Sequence, residues 1–446
     1  MHDKISLKEK AAFALANLGN IPVQALIGSY LLIFYTNVVG LSPAACATLF
    51  LVARILDGLN DPLVGFMIDH LPRTRFGHFR PTLIAGTLLC SLNFLLLWFG
   101  PLMAPSGKLV IAYISYLLIG VLFPVMDISL NSMLPVMTEN MEERNTLSSI
   151  KGFVYMVGLF GVNMVAPLIL GNTSDASGYI RLIICGTLVI ITFSIVGTYG
   201  IKERVYVEAS ENKYGVKDLF MILTRRPLYA SFLSTLLFMV GMYIGTTVNT
   251  YFFTYVIDDL GLLSITSLVQ LIALLPATLL VGTIVKKIGK KKLYVIGFLL
   301  YGVLPLIRFL DIVNVPLLMI ATALTGIGMG FVMPLQYGIN ADNTDYVELE
   351  SGYRAEAAIA SLTSFIEKCG MGIGGAIPGY ILTAVGFDAA AQAQSAGVNQ
   401  AIILCVVAGP AALCLASALI FGCFYPLTKE KLEEQNQKVM RLRSQK

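Results

Sequence analysis

The sequence predicts an all-α membrane protein of about twelve transmembrane helices arranged as two six-helix halves. Three observations carry this reading. Of 446 residues, 56% are hydrophobic and 13% charged, against roughly 25% charged in a soluble domain, so a water-soluble globule could not hide the apolar surface. Apolar runs of about 20 residues or more, long enough to cross a bilayer, recur along the whole chain. The longest polar stretch, Lys202 to Arg226, falls in the middle and leaves six runs on either side.

Taken in order, the runs predict helices over 11–38, 43–69, 81–101, 108–136, 147–171, 178–201, 227–257, 262–287, 292–311, 315–340, 353–385 and 398–425. The first follows the charged leader MHDKISLKEK and is too long for a signal-peptide core, so it reads as a retained helix. Short connections such as Gly40-Leu-Ser42 have ordinary turn and cap chemistry. The organisation is an N-terminal bundle over 1–201, a middle loop over 202–226, a C-terminal bundle over 227–425 and a tail over 426–446. The two bundles echo each other. Phe34-Tyr-Thr-Asn-Val-Val-Gly-Leu closes the first helix and Phe253-Thr-Tyr-Val-Ile-Asp-Asp-Leu-Gly the seventh; basic segments follow the second helix (Gly65 to Arg80) and the eighth (Gly282 to Lys292). Two such halves with a solute site between them at mid-membrane describe the major facilitator fold. In the eleventh helix Gly370, Gly372, Gly374, Gly375 and Gly379 allow close helix approach, with a hinge as the alternative.

Nearly all of the 31 Lys and Arg fall on one side of this topology: Lys4, Lys8 and Lys10, then Arg73, Arg75 and Arg80, the middle loop, Lys286 to Lys292, and the tail. The positive-inside rule makes that side cytoplasmic, with both termini there, in the plasma (inner) membrane. Because the basic residues are divided among short loops, a nucleic-acid surface is disfavoured. The seven cysteines lie mostly inside apolar runs without metal-ligand spacing and read as small hydrophobes.

The chemistry is concentrated in the polar residues inside the runs. Asp57 and Asp61 stand four apart on the second helix and so share a face, with Asn60 beside them and Pro62 following. A carboxylate near the bilayer centre costs roughly 2.5 to 3.5 kcal/mol, which packing alone does not repay. Oxygen ligands clustered this way suit a hard cation such as sodium, or a shared proton; the alternative for Asp57 is an ion pair with Arg54 on the preceding turn. Asp127, with Asn131 one turn on, occupies the fourth helix and is expected to contact the cation or the substrate. Asn20 and Gln24 on the first helix, Asn249 on the seventh and Ser364 on the eleventh are further candidates for hydrogen bonds to a polar solute. Lys368 needs an anionic partner, Asp57, Asp61 or Asp127, unless it snorkels to the near interface; Glu367 points about 100 degrees round the same helix. Asp69, Arg73, Arg75 and Arg80 predict a salt-bridge network after the second helix, and Lys151, Asp342, Asp345 and Arg354 complete the candidate gating charges.

Several blocks resemble the glycoside-pentoside-hexuronide:cation symporter family, to which the melibiose permease belongs. They are Phe34 to Ser42, Leu51 to Asp57 through Pro62, Gly77-His-Phe-Arg-Pro81, Met126-Asp127-Ile, Tyr251 to Val256, Ala341 to Tyr346, and Gly352 to Glu356 with Lys368. The resemblance covers nearly the whole chain, the Asp57 and Gly352 blocks being the specific ones. It implies symport of a sugar, glycoside or similar small polar solute with Na+ or H+ by alternating access. Asp57, Asn60 and Asp61 would be the ion site, Asp127 a substrate contact near it, and Lys368 an electrostatic link from the second half. The chain departs from the family at Ile21, where an acidic residue is usual, at Asn131 for an aromatic, at Pro124 for a hydroxyl, and at Gly152 for an arginine. With the acidic and aromatic sugar contacts absent, a non-sugar amphiphile or lipid-like solute is the alternative cargo.

No cofactor, resident metal or nucleic-acid partner is expected, only the coupling ion, the solute and the bilayer, with the protein a monomer. His2, His70 and His78 are the only histidines, and no nucleophile-base pair or phosphate loop is visible, which argues against an enzyme. A passive channel is disfavoured because the intramembrane charge forms one cluster rather than a repeated filter.

Overall fold

The computed structural model describes residues 5–69, 74–104, 106–138, 140–204, 224–351, 356–391 and 393–444. Thirteen helices follow one another among them, and no strand: α1 (Leu7–Val39), α2 (Pro43–Asp69), α3 (Phe79–Met103), α4 (Lys108–Met137), α5 (Met141–Leu170), α6 (Ala176–Gly200), α7 (Arg226–Val256), α8 (Gly261–Ile288), α9 (Lys290–Leu310), α10 (Val315–Ser351), α11 (Glu356–Ala384), α12 (Ala396–Phe424) and α13 (Lys429–Ser444). The first twelve correspond to the apolar runs. Ten are long and apolar enough to cross a membrane by the described residues; α2 and α11, with 27 and 29 residues, carry Asp57 and Lys368. Exposed side chains such as Leu92, Leu188, Ile272 and Leu279 give these helices the apolar outer faces that a bilayer requires.

The segment after Pro426, expected as a plain tail, is instead the amphipathic helix α13. Its buried residues Leu432, Gln435 and Val439 recur at helical spacing and share one face. Gln435 Nε2 donates to the Asp342 carbonyl at 2.8 Å, which ties α13 to α10.

The chain forms two compact units. One contains Met1–Ser210 together with Phe253–Ser267 and Gly379–Val398; the other contains Glu211–Phe252, Leu268–Pro378 and Asn399–Lys446. In the first, small residues bring α1 and α6 together: a Cβ on Gly19 would strike Ser194, and one on Gly197 would strike the Ala16 backbone. Phe34, Trp98 and Tyr179 fill the space beside this seam, Phe34 lying 5.0 and 4.7 Å from the other two rings. In the second, Tyr294, Phe298, Phe421 and Tyr425 are buried in one core. Gly370 and Gly374 of α11 press on the α7 backbone, so these two glycines serve close packing.

The sequence echo has a structural counterpart. Both α1 and α7 end in a π-helical turn, Tyr35–Val39 and Phe252–Val256. In each a backbone N–H reaches back six residues, Leu41 to the Tyr35 carbonyl and Asp259 to the Phe253 carbonyl. Each is followed by a residue of positive φ, Gly40 at 78° and Asp258 at 57°. Aligned this way Asn37 and Tyr255 are equivalent positions, and within the first unit Asn37 Nδ2 donates to Tyr255 Oη at 2.6 Å.

Candidate functional site

In the first unit, three of the sequence candidates, Asn20, Asn131 and Lys151, gather around a fourth, Asp127. Asn20 Nδ2 on α1 donates to Asp127 Oδ1 at 3.1 Å, and Asn131 Nδ2, one turn on along α4, donates to Oδ2 at 2.9 Å. The Asn131 carbonyl oxygen accepts from Lys151 Nζ on α5. Lys151, expected among the gating charges, is thus part of the Asp127 cluster, one amide away from the carboxylate. Asn20 is 6% exposed and its carbonyl oxygen is buried with no partner, an acceptor left open beside the aspartate. Gln24 is exposed one turn along α1 and accepts from Tyr155 Oη at 3.2 Å. Tyr155 was not among the candidates, although it stands four residues from Lys151 on α5 and so shares its face. The arrangement offers donors and acceptors around one carboxylate, with an exposed phenol ring on the same face of α5 as Lys151.

Asp57 is 7% exposed and paired: Arg54 Nη1 donates to Oδ2 at 2.9 Å, the ion pair expected from the sequence as the alternative partner. The buried Tyr116 of α4 lies within electrostatic reach of both Arg54 and Asp57. Gly120 of α4 faces the carboxylate so closely that a Cβ there would collide with Asp57 Oδ1. Seven residues, or about 10 Å of helix, separate Gly120 from Asp127. Asp57 and Asp127 therefore touch α4 at different levels instead of sharing one coordination shell. Asn60 is half-buried. The α2 helix continues through Pro62, and the side chains of Asp61 and Asp69 lie outside the described part of the structure.

The predicted network after α2 takes another form. Arg73 and Arg354 lie outside the described residues. Arg80 Nε and Nη2 donate to the Thr198 and Tyr199 carbonyls, at 3.2 and 3.1 Å, the terminal carbonyls of α6 where a cation is favoured by the helix dipole. Arg75 lies over the Phe76 ring at 4.8 Å. The carboxylate on this side is Glu203, missed in the sequence, which accepts the N–H groups of His78, Phe79 and Arg80 at 2.8 to 3.0 Å and caps α3.

In the second unit Asp342 is 8% exposed and accepts from Lys290 Nζ with both oxygens at 2.7 Å; Asp345, half-buried, is within electrostatic reach. Lys368 is half-buried, Ser364 exposed and Asn249 half-buried. Neither Ser364 nor Asn249 is held by the side chain of another described residue. The Glu367 side chain, noticed only as pointing away from Lys368, instead meets Gln336 of α10, whose Nε2 donates to Oε1 at 2.8 Å. Gln336 shows in the sequence only as a polar residue within an apolar run.

Known proteins agree with this architecture. A family model described as MFS/sugar transport protein matches residues 12–429. The chain belongs to that family. Within it, the chain is 36% identical to the isoprimeverose transporter of Lactiplantibacillus pentosus over 403 residues, 88% of this chain and 83% of the relative. It is 30% identical to the glucuronide carrier protein homolog of Escherichia coli K12 over 449 residues, 97% and 95% of the two chains. These relatives confirm the glycoside-pentoside-hexuronide resemblance. Among solved structures, the nucleoside transporter NupG matches with a TM-score of 0.65 at 12% identity, covering 94% of this chain and all of its own. A D-xylose-proton symporter matches with 0.63 at 17%, covering 95% and 98%. At such identities the likeness is one of fold. The family and these relatives are membrane transporters, not enzymes.

Proposed function

We propose that this MFS/sugar transport protein takes up a sugar or glycoside together with a sodium ion or a proton, by alternating access in the plasma (inner) membrane with both termini cytoplasmic. The observation that carries the reading is the Asn20–Asp127–Asn131–Lys151 cluster, a hydrogen-bonded carboxylate inside a membrane bundle with open acceptor capacity beside it. The relatives' named solutes, isoprimeverose and glucuronides, support a glycosidic cargo.

Asp57 and Arg54 supply the coupling logic. A lone aspartate at this depth is costly, and Arg54 compensates it when no ion is bound. An incoming cation or proton at the α2 carboxylates competes with that guanidinium, so ion binding and release of Arg54 are linked. Asp61, four residues on, is assigned to the same ion site from the helix spacing, and Asn60 offers a neutral oxygen to it.

The test is uptake of labelled isoprimeverose and of a glucuronide into proteoliposomes under a sodium gradient and, separately, a proton gradient. Accumulation under one gradient and its loss in Asp61→Asn is the expected result. Accumulation that persists unchanged in that variant would remove Asp61 from the ion site; absence of sugar uptake under either gradient would return the amphiphile alternative.

A further inference from the structure

The second unit holds a polar group that the coupling scheme does not use. Gln336 is 4% exposed; its Nε2 is committed to Glu367 Oε1, and its own Oε1 is buried without a partner. The second oxygen of Glu367 has no partner among the described residues. Tyr337, next to Gln336 on α10, is 76% exposed and lies within electrostatic reach of Glu367, as does the buried Tyr294 of α9. Lys368 is the next residue on α11 and points elsewhere round the helix.

This group has more acceptors than donors. A buried amide oxygen left without a donor is costly, so it suits a ligand that brings hydroxyl donors. A sugar ring supplies neighbouring hydroxyls and an apolar C–H face, and an exposed phenol ring can receive that face. A uronate carboxylate brings further acceptors and a negative charge, which Glu367 opposes.

We propose that Gln336, Tyr337 and Glu367 form a sugar subsite on the second unit that selects an uncharged glycosyl group over an anionic one. The inference rests on the sugar-transport reading above and specifies its substrate class. Glu367 and Gln336 would accept from adjacent hydroxyls, and Tyr337 would stack on the ring.

The experiment measures binding of isoprimeverose, as the neutral probe, and methyl β-glucuronide, as the anionic one, to purified full-length protein by calorimetry, followed by uptake in proteoliposomes. Wild type is expected to bind isoprimeverose at least tenfold more tightly than the glucuronide. Glu367→Gln should weaken isoprimeverose tenfold or more and narrow or reverse that preference, a specificity shift that loss of packing would not produce. Tyr337→Ala, at an exposed position, should weaken isoprimeverose about fivefold and leave thermal stability unchanged. Unaltered affinity and preference in both variants would overturn the subsite while leaving sugar transport standing. So would normal sugar binding by Glu367→Gln with loss of proton-driven uptake alone, which would make Glu367 a proton carrier. If wild type binds and transports neither probe, the subsite and the sugar reading fall together.

Discussion

Asp127 in the first unit and Glu367 in the second are both carboxylates within membrane helices, and they are satisfied to different degrees. Each oxygen of Asp127 accepts an amide N–H, and Lys151 stands one hydrogen bond behind. Asp57 nearby carries its own arginine. Glu367 has one amide donor, and that amide's carbonyl is itself unpaired. The first arrangement pairs negative charge with donors and cations already in the protein, which the coupling ion of the proposed function would displace. The second leaves acceptors open, which only a ligand rich in donors completes. The contrast divides the proposed labour, with ion exchange on the first unit and sugar selectivity on the second.

The largest effect that would break this comparison is expected from Asp127→Ala, which strips the acceptor from Asn20 and Asn131 and leaves Lys151 without its nearby carboxylate. Gradient-driven uptake should fall at least a hundredfold; uptake within threefold of wild type would show that the cluster is structural only. Arg54→Gln sharpens the comparison from the other side. A charge-assisted hydrogen bond contributes about 1.5 to 3 kcal/mol, so freeing Asp57 should lower the half-saturating concentration of the coupling cation roughly tenfold or more. The readout is initial uptake against cation concentration. A rise in that concentration would mean that Arg54 helps hold the ion.

Smaller effects follow from packing. Gly120→Ala drives a methyl group into Asp57, and overpacking of this kind costs about 1 to 3 kcal/mol. A lower midpoint of thermal unfolding in detergent, with raised cation demand, is the expected pair of changes; lowered stability with unaltered cation dependence would separate Gly120 from the ion site. Tyr155→Phe removes a single hydrogen bond to Gln24, worth about 0.5 to 1.5 kcal/mol, so a two- to tenfold rise in KM for the sugar with little change in maximal rate is expected.

Much of this molecule was legible before its structure. Membrane class, the twelve apolar helices, the mid-chain break and the echo between Phe34 and Phe253 are properties of local composition, and a bilayer forces each long apolar run into one helix. The same reasoning singled out Asp57, Asp127 and Lys368, because charge inside such a run is costly wherever the helix packs. The α13 helix was missed because its apolar residues are few and its partner lies on α10.

Tertiary structure alone decided the partners. Asn20 and Asp127 are 107 residues apart in sequence, and Arg80 and the Tyr199 carbonyl are 119 apart. Lys151 reached the Asp127 cluster through Asn131, Arg80 chose carbonyls over a carboxylate, and Glu367 turned to Gln336. The sequence by itself determined which segments enter the membrane and which of them carry charge, since those depend on transfer free energies of short segments. Which donor meets which acceptor depends on helix rotation and on approach distances set by residues such as Gly120. No local rule encodes a contact between helices.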